Sequence, residues 1–121
     1  MIIVRIIMNA LPEKQKEVMQ TLVSMIEPTA REQGCLNYEV FRDIEDRNIF
    51  SLIEEWETRD DLRLHLRSAR FGVLLGTKNL LCEPPKIKIH TVSYSEGMEA
   101  VHAARDNKSN FYAESNRGSQ L

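Results

Sequence analysis

The sequence predicts an α+β fold in which two helices pack on one four-stranded antiparallel sheet, in the order β-α-β-β-α-β. Three observations lead to this prediction. Short runs rich in Ile, Val, Phe and Tyr alternate with two longer amphipathic segments, and the two middle runs are joined by a short charged turn. A chain of 121 residues is also long enough for one hydrophobic core and too short for two.

The first strand and the first helix are defined by their apolar periodicity. Residues 2 to 9 carry apolar side chains on both alternating sets, which is typical of a strand covered on two sides. From Pro12 to Gln33 apolar residues recur at helical spacing, with Pro12 suited to the first turn and Gly34 to the stop. We therefore expect a central strand followed by an amphipathic helix.

The middle of the chain predicts a hairpin and a second helix. Two β-rich runs, 35 to 43 and 48 to 57, flank the charged turn IEDR and indicate two antiparallel strands. Thr58, followed three residues later by Asp61, resembles a capping box. It opens a helical region over 59 to 81, which we treat as one amphipathic helix.

A last strand and a change in composition divide the chain in two. The run PKIKIHTVSYS at 85 to 95 predicts the fourth strand and completes the ferredoxin-like order. After Ser95 the sequence is rich in Ser, Asn and charge and has few periodic apolar residues. We predict a ferredoxin-like domain over 1–95 and a polar C-terminal extension over 96–121, which is either mobile or a clasp across a dimer.

One face of the predicted sheet needs a cover. Both helices of this arrangement lie on the same face, and the other face would carry Ile3, Arg5 and Ile7 or their alternates, which are too apolar for water. A second copy placed sheet to sheet would cover it, with Arg5 paired to a carboxylate such as Glu39 or Glu55. The sequence therefore predicts a homodimer, a dimeric α+β barrel.

Composition and motifs exclude several classes of function. The 16 Lys and Arg against 18 Asp and Glu give a net charge of −2, which does not indicate a nucleic-acid partner. Arg5 interrupts the apolar run at the N-terminus, so we predict no secretory segment, no membrane partner and a cytoplasmic location. The sequence has no Cys-x-x-Cys, no i, i+4 His pair and no Gly-rich phosphate loop, so we predict neither a metal nor a cofactor.

The second helical region contains two signs of a binding site. On a helical wheel His65 borders the buried face. Ala69, Gly72 and Gly76 share one face without bulk, so the helix either approaches the sheet closely or leaves a hollow above it. With His65 at its rim, such a hollow would be lined by strand residues from the set Tyr38, Glu54 and Trp56.

A cleft with one imidazole, one phenol and one carboxylate suits a small aromatic or carbonyl ligand that has an acidic proton. His65 could take that proton near neutral pH, since the ordinary pKa of histidine is about 6.5. Each residue also has a structural explanation. His65 could be a hydrogen-bonded structural residue, Tyr38 and Trp56 core residues, and Glu54 a dimer-interface residue, and the sequence leaves these alternatives open.

The segments GCLNYEVFRDIED and FSLIEEWETRDDLRLHLRSARF resemble the signature of the antibiotic biosynthesis monooxygenase family, over residues 1 to 95. A G-C-x-x-Y strand, an E-x-W strand end and a helical His followed by Ser-x-x-Phe carry the resemblance. The family includes cofactor-independent monooxygenases of polyketides and quinols, isomerases of small signalling sugars and haem-degrading oxygenases. The resemblance implies sheet-to-sheet dimers with a pocket between sheet and helices, and it assigns the family's His, Tyr and Trp to His65, Tyr38 and Trp56.

Two departures from the family pattern affect the choice of function. Arg70 stands where many members have a second His. The proximal His of haem-degrading relatives would fall near Leu75, and a leucine cannot ligate iron. Haem oxygenation is therefore disfavoured.

The sequence is compatible with three functions. The first is cofactor-independent monooxygenation of a small phenolic or quinol substrate, in which His65 is the base and Tyr38 or Asn37 donates a hydrogen bond to the oxyanion. The second is isomerisation of a small hydroxyketone by the same proton transfer. The third is a non-catalytic dimeric ligand-binding module. In each case the residues expected to bind the small molecule are Asn37, Glu54, Trp56 and Gly72.

Overall fold

The computed structural model, which describes residues 1–106, has the predicted α+β architecture. The strands are β1 (Ile2–Asn9), β2 (Cys35–Arg42), β3 (Ile49–Trp56) and β4 (Lys86–Thr91). The helices are α1 (Gln15–Ala30), α2 (Arg59–Leu66), α3 (Ala69–Leu75) and α4 (Met98–Asp106). All neighbouring strands are antiparallel, in the order β2-β3-β1-β4, which confirms the ferredoxin-like prediction.

The core lies between the sheet and the first three helices. Every second residue of β1 and β3 is buried on this side, as the alternation of a strand requires. Helix α1 contributes a buried stripe at helical spacing, which includes Thr29. Ala30, which the apolar spacing of the sequence would place on this stripe, is exposed. The fully buried apolar side chains of this layer include Val4, Ile6, Met8, Val18, Leu22, Phe50, Leu52 and Trp56.

The second helical region is two α-helices followed by a 3-10 helix (Gly76–Leu80), so the prediction of one continuous helix is wrong. The predicted cap at its start is present, since the Thr58 hydroxyl accepts a hydrogen bond from the Asp61 N–H. Helix α2 ends at Leu66, and the Ser68 hydroxyl then accepts a hydrogen bond from the Phe71 N–H and begins α3. This second N-cap therefore starts a new helix after α2 has ended.

The break also overturns the helical wheel drawn through the region. Val73, which a continuous wheel drawn from Leu62 places on the buried face, is 57% exposed, whereas Phe71 and Leu74 are buried. Gly72 is exposed, and a Cβ built on it would meet nothing within 4 Å, so neither the expected close approach to the sheet nor a hollow forms there. His65, expected at the border of the buried face, is only 1% exposed.

The opposite face of the sheet keeps apolar side chains at the surface. Ile7 is 37% exposed and Phe41 is 44% exposed. Both line a shallow depression of about 240 Å³ that also contains Arg5, Ser51 and Ile53. The core-forming helices therefore leave an apolar surface on the side that the sequence predicted would need a cover.

The chain forms one more helix after the sheet is complete. Helix α4 lies within the segment predicted as a polar extension, and its Met98 and Val101 side chains are exposed. The part of that prediction that concerns residues 107–121 lies outside the described residues. Among the helices of residues 1–106, none combines the length and the apolar character that a membrane span needs.

Candidate functional site

Four of the predicted site residues meet in one buried cluster between the sheet and the helices. Tyr38 of β2 lies opposite Glu54 of β3 in the ladder, and Trp56 follows on the same face of β3. The imidazole of His65, on α2, stacks on the Trp56 indole with 4.5 Å between ring centroids. None of the four is more than 5% exposed. We call these four residues the His65 cluster.

A β-bulge decides which side chains of β2 reach the cluster. The register of β2 against β3 shifts between Cys35, which pairs with Trp56, and Asn37, which pairs with Glu55. The extra residue turns Asn37 to the face away from the helices and Tyr38 to the face of the cluster. The Asn37 amide donates a hydrogen bond to Glu39 at 2.8 Å, so the structure separates Asn37 from the other predicted site residues.

Gly72 is also separated from the cluster. It lies on the exposed side of α3, one residue after Phe71, whose ring meets the His65 ring edge-on with 5.4 Å between centroids. Phe71 therefore lies on the side of α3 that faces the site. The sequence pointed to Gly72 only because the wheel was continued through the break between the two helices.

The His65 ring lies between two carboxylates that come from different elements. Nδ1 is 2.8 Å from Oε1 of Glu32, which follows α1. Nε2 is 3.6 Å from Oε1 of Glu54, and the same oxygen accepts a hydrogen bond from the Trp56 indole N–H at 2.9 Å. Glu32 in turn forms an ion pair with Arg70 of α3 through its second oxygen. The imidazole is thus fixed at one nitrogen and faces a buried carboxylate at the other.

This setting changes the proton affinity of two groups. Burial by itself lowers the pKa of His65, but the adjacent Glu54 and Glu32 carboxylates outweigh it, so the pKa of His65 is raised above its ordinary value. Burial raises the pKa of Tyr38 far above its ordinary value, and the charges of Glu54 and Glu32 add to the rise. Thr29 beside the phenol offsets part of it. The phenol therefore stays protonated, and the imidazole is a stronger base than a free histidine.

Several polar atoms of the site have no hydrogen-bond partner within the described residues. They are fully buried, and leaving such an atom unpaired costs about 1–3 kcal/mol. Native proteins keep such groups rare, and a concentration of them in one place indicates a site for a polar ligand or for ordered water. The four atoms are Thr29 Oγ1, Tyr38 Oη, Glu54 Oε2 and His65 Nε2.

Three contributors to the site were not predicted from the sequence. Glu32 lies in the turn between α1 and β2, where no spacing rule marks it. A continuous helical wheel places Arg70 on the solvated side of the helix, but its side chain pairs with Glu32. Thr29 could have been found, since it lies seven residues after the buried Leu22 and therefore on the same face of α1.

A surface groove lies between α1 and α3 and shares Arg70 with the contacts of the cluster. It has a volume of about 370 Å³, and Arg70, which holds Glu32, is part of its wall. The other residues of the wall are Ser24, Met25, Ala69 and Val73. Tyr38, Glu54 and His65 do not line this groove, so the cluster is closed in the structure described here.

A metal ion does not suit the arrangement of the carboxylates. Glu32 and Glu54 contact opposite nitrogens of the His65 ring, so the three groups do not converge on one point. Elsewhere in residues 1–106, no three His, Cys, Asp or Glu side chains come together as metal ligands would.

A known protein family matches this chain. The family model described as "Antibiotic biosynthesis monooxygenase" matches residues 1–74. The Bacillus subtilis (strain 168) protein named "Putative monooxygenase YcnE" is 27% identical over 85 residues, which are 69% of this chain and 90% of that protein. A Synechocystis protein named "Uncharacterized protein sll1783" is 29% identical over 86 residues, 70% of this chain. This chain spans only 58% of the length of that relative.

Solved structures show the same fold. The Deinococcus radiodurans structure titled "putative antibiotic biosynthesis monooxygenase" superimposes with a TM-score of 0.74 at 24% identity, covering 80% of this chain and 97% of that chain. A conserved protein from Methanosarcina mazei Go1 superimposes with a TM-score of 0.69 at 32% identity, covering 74% of this chain and 89% of that chain. With the family model matched over more than half of its length, this chain belongs to the antibiotic biosynthesis monooxygenase family.

Proposed function

We propose that the protein is a cofactor-independent monooxygenase of a small phenolic or quinol substrate. The observation that carries the proposal is the state of His65, whose Nδ1 is held by Glu32 while Nε2 is buried without a partner. In the neutral ring, Nδ1–H donates to Glu32 and the Nε2 lone pair is left to accept a proton. Membership of the family and the name of the Bacillus subtilis relative support an oxygenase.

The first step is removal of the substrate's phenolic proton. His65 Nε2 accepts it, and the Glu54 carboxylate 3.6 Å away stabilises the imidazolium that forms. Tyr38, which keeps its proton, donates a hydrogen bond to the substrate oxyanion. The Trp56 indole stacks on His65 and provides a flat apolar surface against which the aromatic ring of the substrate can pack.

The second step is oxidation of the anion by molecular oxygen, which is the co-substrate. One electron passes from the phenolate to oxygen, and the resulting radical pair forms a C–O bond at a ring carbon. Protonation of the peroxide, loss of the ring C–H proton and cleavage of the O–O bond then give a quinone and water. One phenol and one oxygen molecule thus yield one quinone and one water, with one oxygen atom in each product.

The substrate reaches this cluster from the groove between α1 and α3. Helix α3 has only seven residues, and isolated helices of that length are marginal in water, so it is the element most easily displaced. Phe71, on the inner side of α3, contacts the His65 ring. A shift of α3 moves Phe71 away and opens a pocket between the sheet and the helices.

The active form is a homodimer in which the open faces of two sheets pack together. Ile7 and Phe41 remain exposed on this face, and Arg5 is the charged residue beside them. A second copy would cover the apolar side chains, and its Glu39 or Glu55 could pair with Arg5. The His65 cluster lies on the other side of the sheet, so dimerisation leaves the route from the α1–α3 groove open.

Oxygen uptake with a panel of phenols and quinols tests the proposal. We expect uptake that depends on the substrate and is lost in His65→Ala, whereas His102→Ala, a change of an exposed histidine on α4, leaves it intact. An unchanged rate in His65→Ala would remove His65 from the mechanism. Anaerobic turnover of a hydroxyketone would instead indicate an isomerase, and binding without any turnover would indicate a ligand-binding module.

A further inference from the structure

The groove between α1 and α3 is apolar except for one cation. Of the five residues in its wall, Met25, Ala69 and Val73 are apolar, Ser24 is neutral, and only Arg70 is charged. A volume of about 370 Å³ is enough for a ligand of one or two aromatic rings. An apolar groove with a single cation in its wall is complementary to a ligand with a flat apolar body and one negative charge.

Arg70 pairs with Glu32 on one side and keeps donors for a second partner. Its Nη1 donates to Oε2 of Glu32, while Nε and Nη2 have no partner among the described residues. The side chain is 36% exposed, so these donors are accessible from the groove. A guanidinium has five N–H donors in a rigid plane and commonly binds two anions along different edges.

We infer that Arg70 selects substrates that carry an acidic group, namely hydroxyaryl carboxylates, by binding the carboxylate at the groove end of the site. The inference rests on the proposed function and deepens it, because it names the class of phenol. A carboxylate can take two parallel N–H···O bonds from the free edge of the guanidinium. A neutral amide of the same shape offers one acceptor oxygen and brings two N–H donors against the Arg70 donors, so it binds less tightly.

The contacts of Glu32 link this acid-binding position to the base. One Glu32 oxygen bonds Arg70 and the other lies 2.8 Å from His65 Nδ1, so the two functional groups stand on either side of one carboxylate. A hydroxyaryl carboxylate of the para type, such as 4-hydroxyphenylacetate, has its acid and its hydroxyl at opposite ends of an aromatic ring. Seating the acid at Arg70 therefore directs the hydroxyl toward the interior, where His65 and Tyr38 lie.

Anaerobic titration calorimetry with matched acid and amide pairs tests the inference. The probes are 4-hydroxyphenylacetate against 4-hydroxyphenylacetamide and 6-hydroxy-2-naphthoate against 6-hydroxy-2-naphthamide. We expect the wild-type protein to bind an acid at least about tenfold more tightly than its amide, as a charge-assisted hydrogen bond would provide. Arg70→Met should abolish the preference and Arg70→Lys, which lacks the planar fork, should reduce it. The control Arg63→Met changes an exposed arginine that pairs with Asp60 and should keep the full preference.

Equal binding of acid and amide by the wild type, a preference that survives in Arg70→Met, or failure of both acids to bind would overturn the inference. Because binding is measured without oxygen, the result does not depend on turnover. Preference for acids without any oxygen uptake would leave Arg70 as the selecting residue and remove the oxygenase proposal. Oxygen uptake with neutral phenols alone would support the oxygenase proposal and remove Arg70 as the selecting residue.

Discussion

Tyr38 lies directly opposite Glu54 in the β2–β3 ladder, and each side chain keeps a buried polar atom without a hydrogen-bond partner in the described residues. The pair stands on the helix side of the sheet, next to His65. A phenol and a carboxylate in this position raise the free energy of the folded protein unless a ligand or water binds them. Their cost to stability and their contribution to function can therefore be measured separately.

The Tyr38 hydroxyl should cost stability and support activity. We expect Tyr38→Phe to leave the free energy of unfolding unchanged or raise it by up to about 1 kcal/mol, because the variant buries no unpaired hydroxyl. We expect its oxygenase rate to fall by about 100-fold, since the oxyanion loses a hydrogen-bond donor. Urea unfolding and oxygen uptake measure the two effects.

Tyr94→Phe is the matched control, because Tyr94 is exposed and lies outside the cluster. It should change neither quantity. If Tyr38→Phe lost more than about 2 kcal/mol of stability and kept full activity, the hydroxyl would be a structural group and not an oxyanion donor.

Glu54 should control the proton affinity of His65. The nearby Glu54 carboxylate stabilises the protonated imidazole and raises the pKa of His65, so Glu54→Gln should lower that pKa. Nitrogen-15 NMR of the imidazole ring follows the titration directly. Glu45→Gln removes an exposed carboxylate from the turn between β2 and β3 and should leave the pKa of His65 unchanged. A His65 pKa that is equal in the wild type and Glu54→Gln would contradict this account.

The open face of the sheet should hold the dimer together. We expect Ile53→Asp to give a monomer in sedimentation equilibrium, because it places a charge in the depression beside Arg5 and Phe41. Val23→Asp introduces the same charge at an exposed position of α1 and should leave the dimer intact. A dimer that persists in Ile53→Asp would show that the copies meet through another surface.

The sheet and its order could be predicted from the sequence because period-two patterns are local. Alternation over residues 49 to 56 alone places Glu54 and Trp56 on one face, and this face is the buried one. The capping pair Thr58 and Asp61 likewise acts over three residues. Patterns that extend over a few consecutive residues can be recognised without knowing how the rest of the chain packs.

The parts of the site that could not be predicted depend on distant contacts or on single-residue irregularities. Glu32 and His65 are 33 positions apart, and only the tertiary packing of the helices and the sheet brings them together. The bulge beside Asn37 reverses one side chain, and the Ser68 cap ends a helix that the apolar pattern would have continued. Ser68 is a favourable N-cap residue, so this last break could have been found.

The stability of the protein should fall as the pH rises above neutrality. The pKa of His65 is higher in the folded protein than its ordinary value of 6.5, so the folded state binds this proton more tightly than the unfolded state does. The stabilisation is complete below pH 6.5 and is lost as the pH rises through the folded-state pKa of His65. Urea unfolding at closely spaced pH values from 6 to 9 should show this fall in the wild type and a smaller fall in Glu54→Gln, where one of the two carboxylates is neutral. Glu45→Gln, a change of an exposed carboxylate in the turn between β2 and β3, should retain the wild-type slope. A wild-type profile that is flat or rising over this range would mean that His65 carries no extra proton in the folded state.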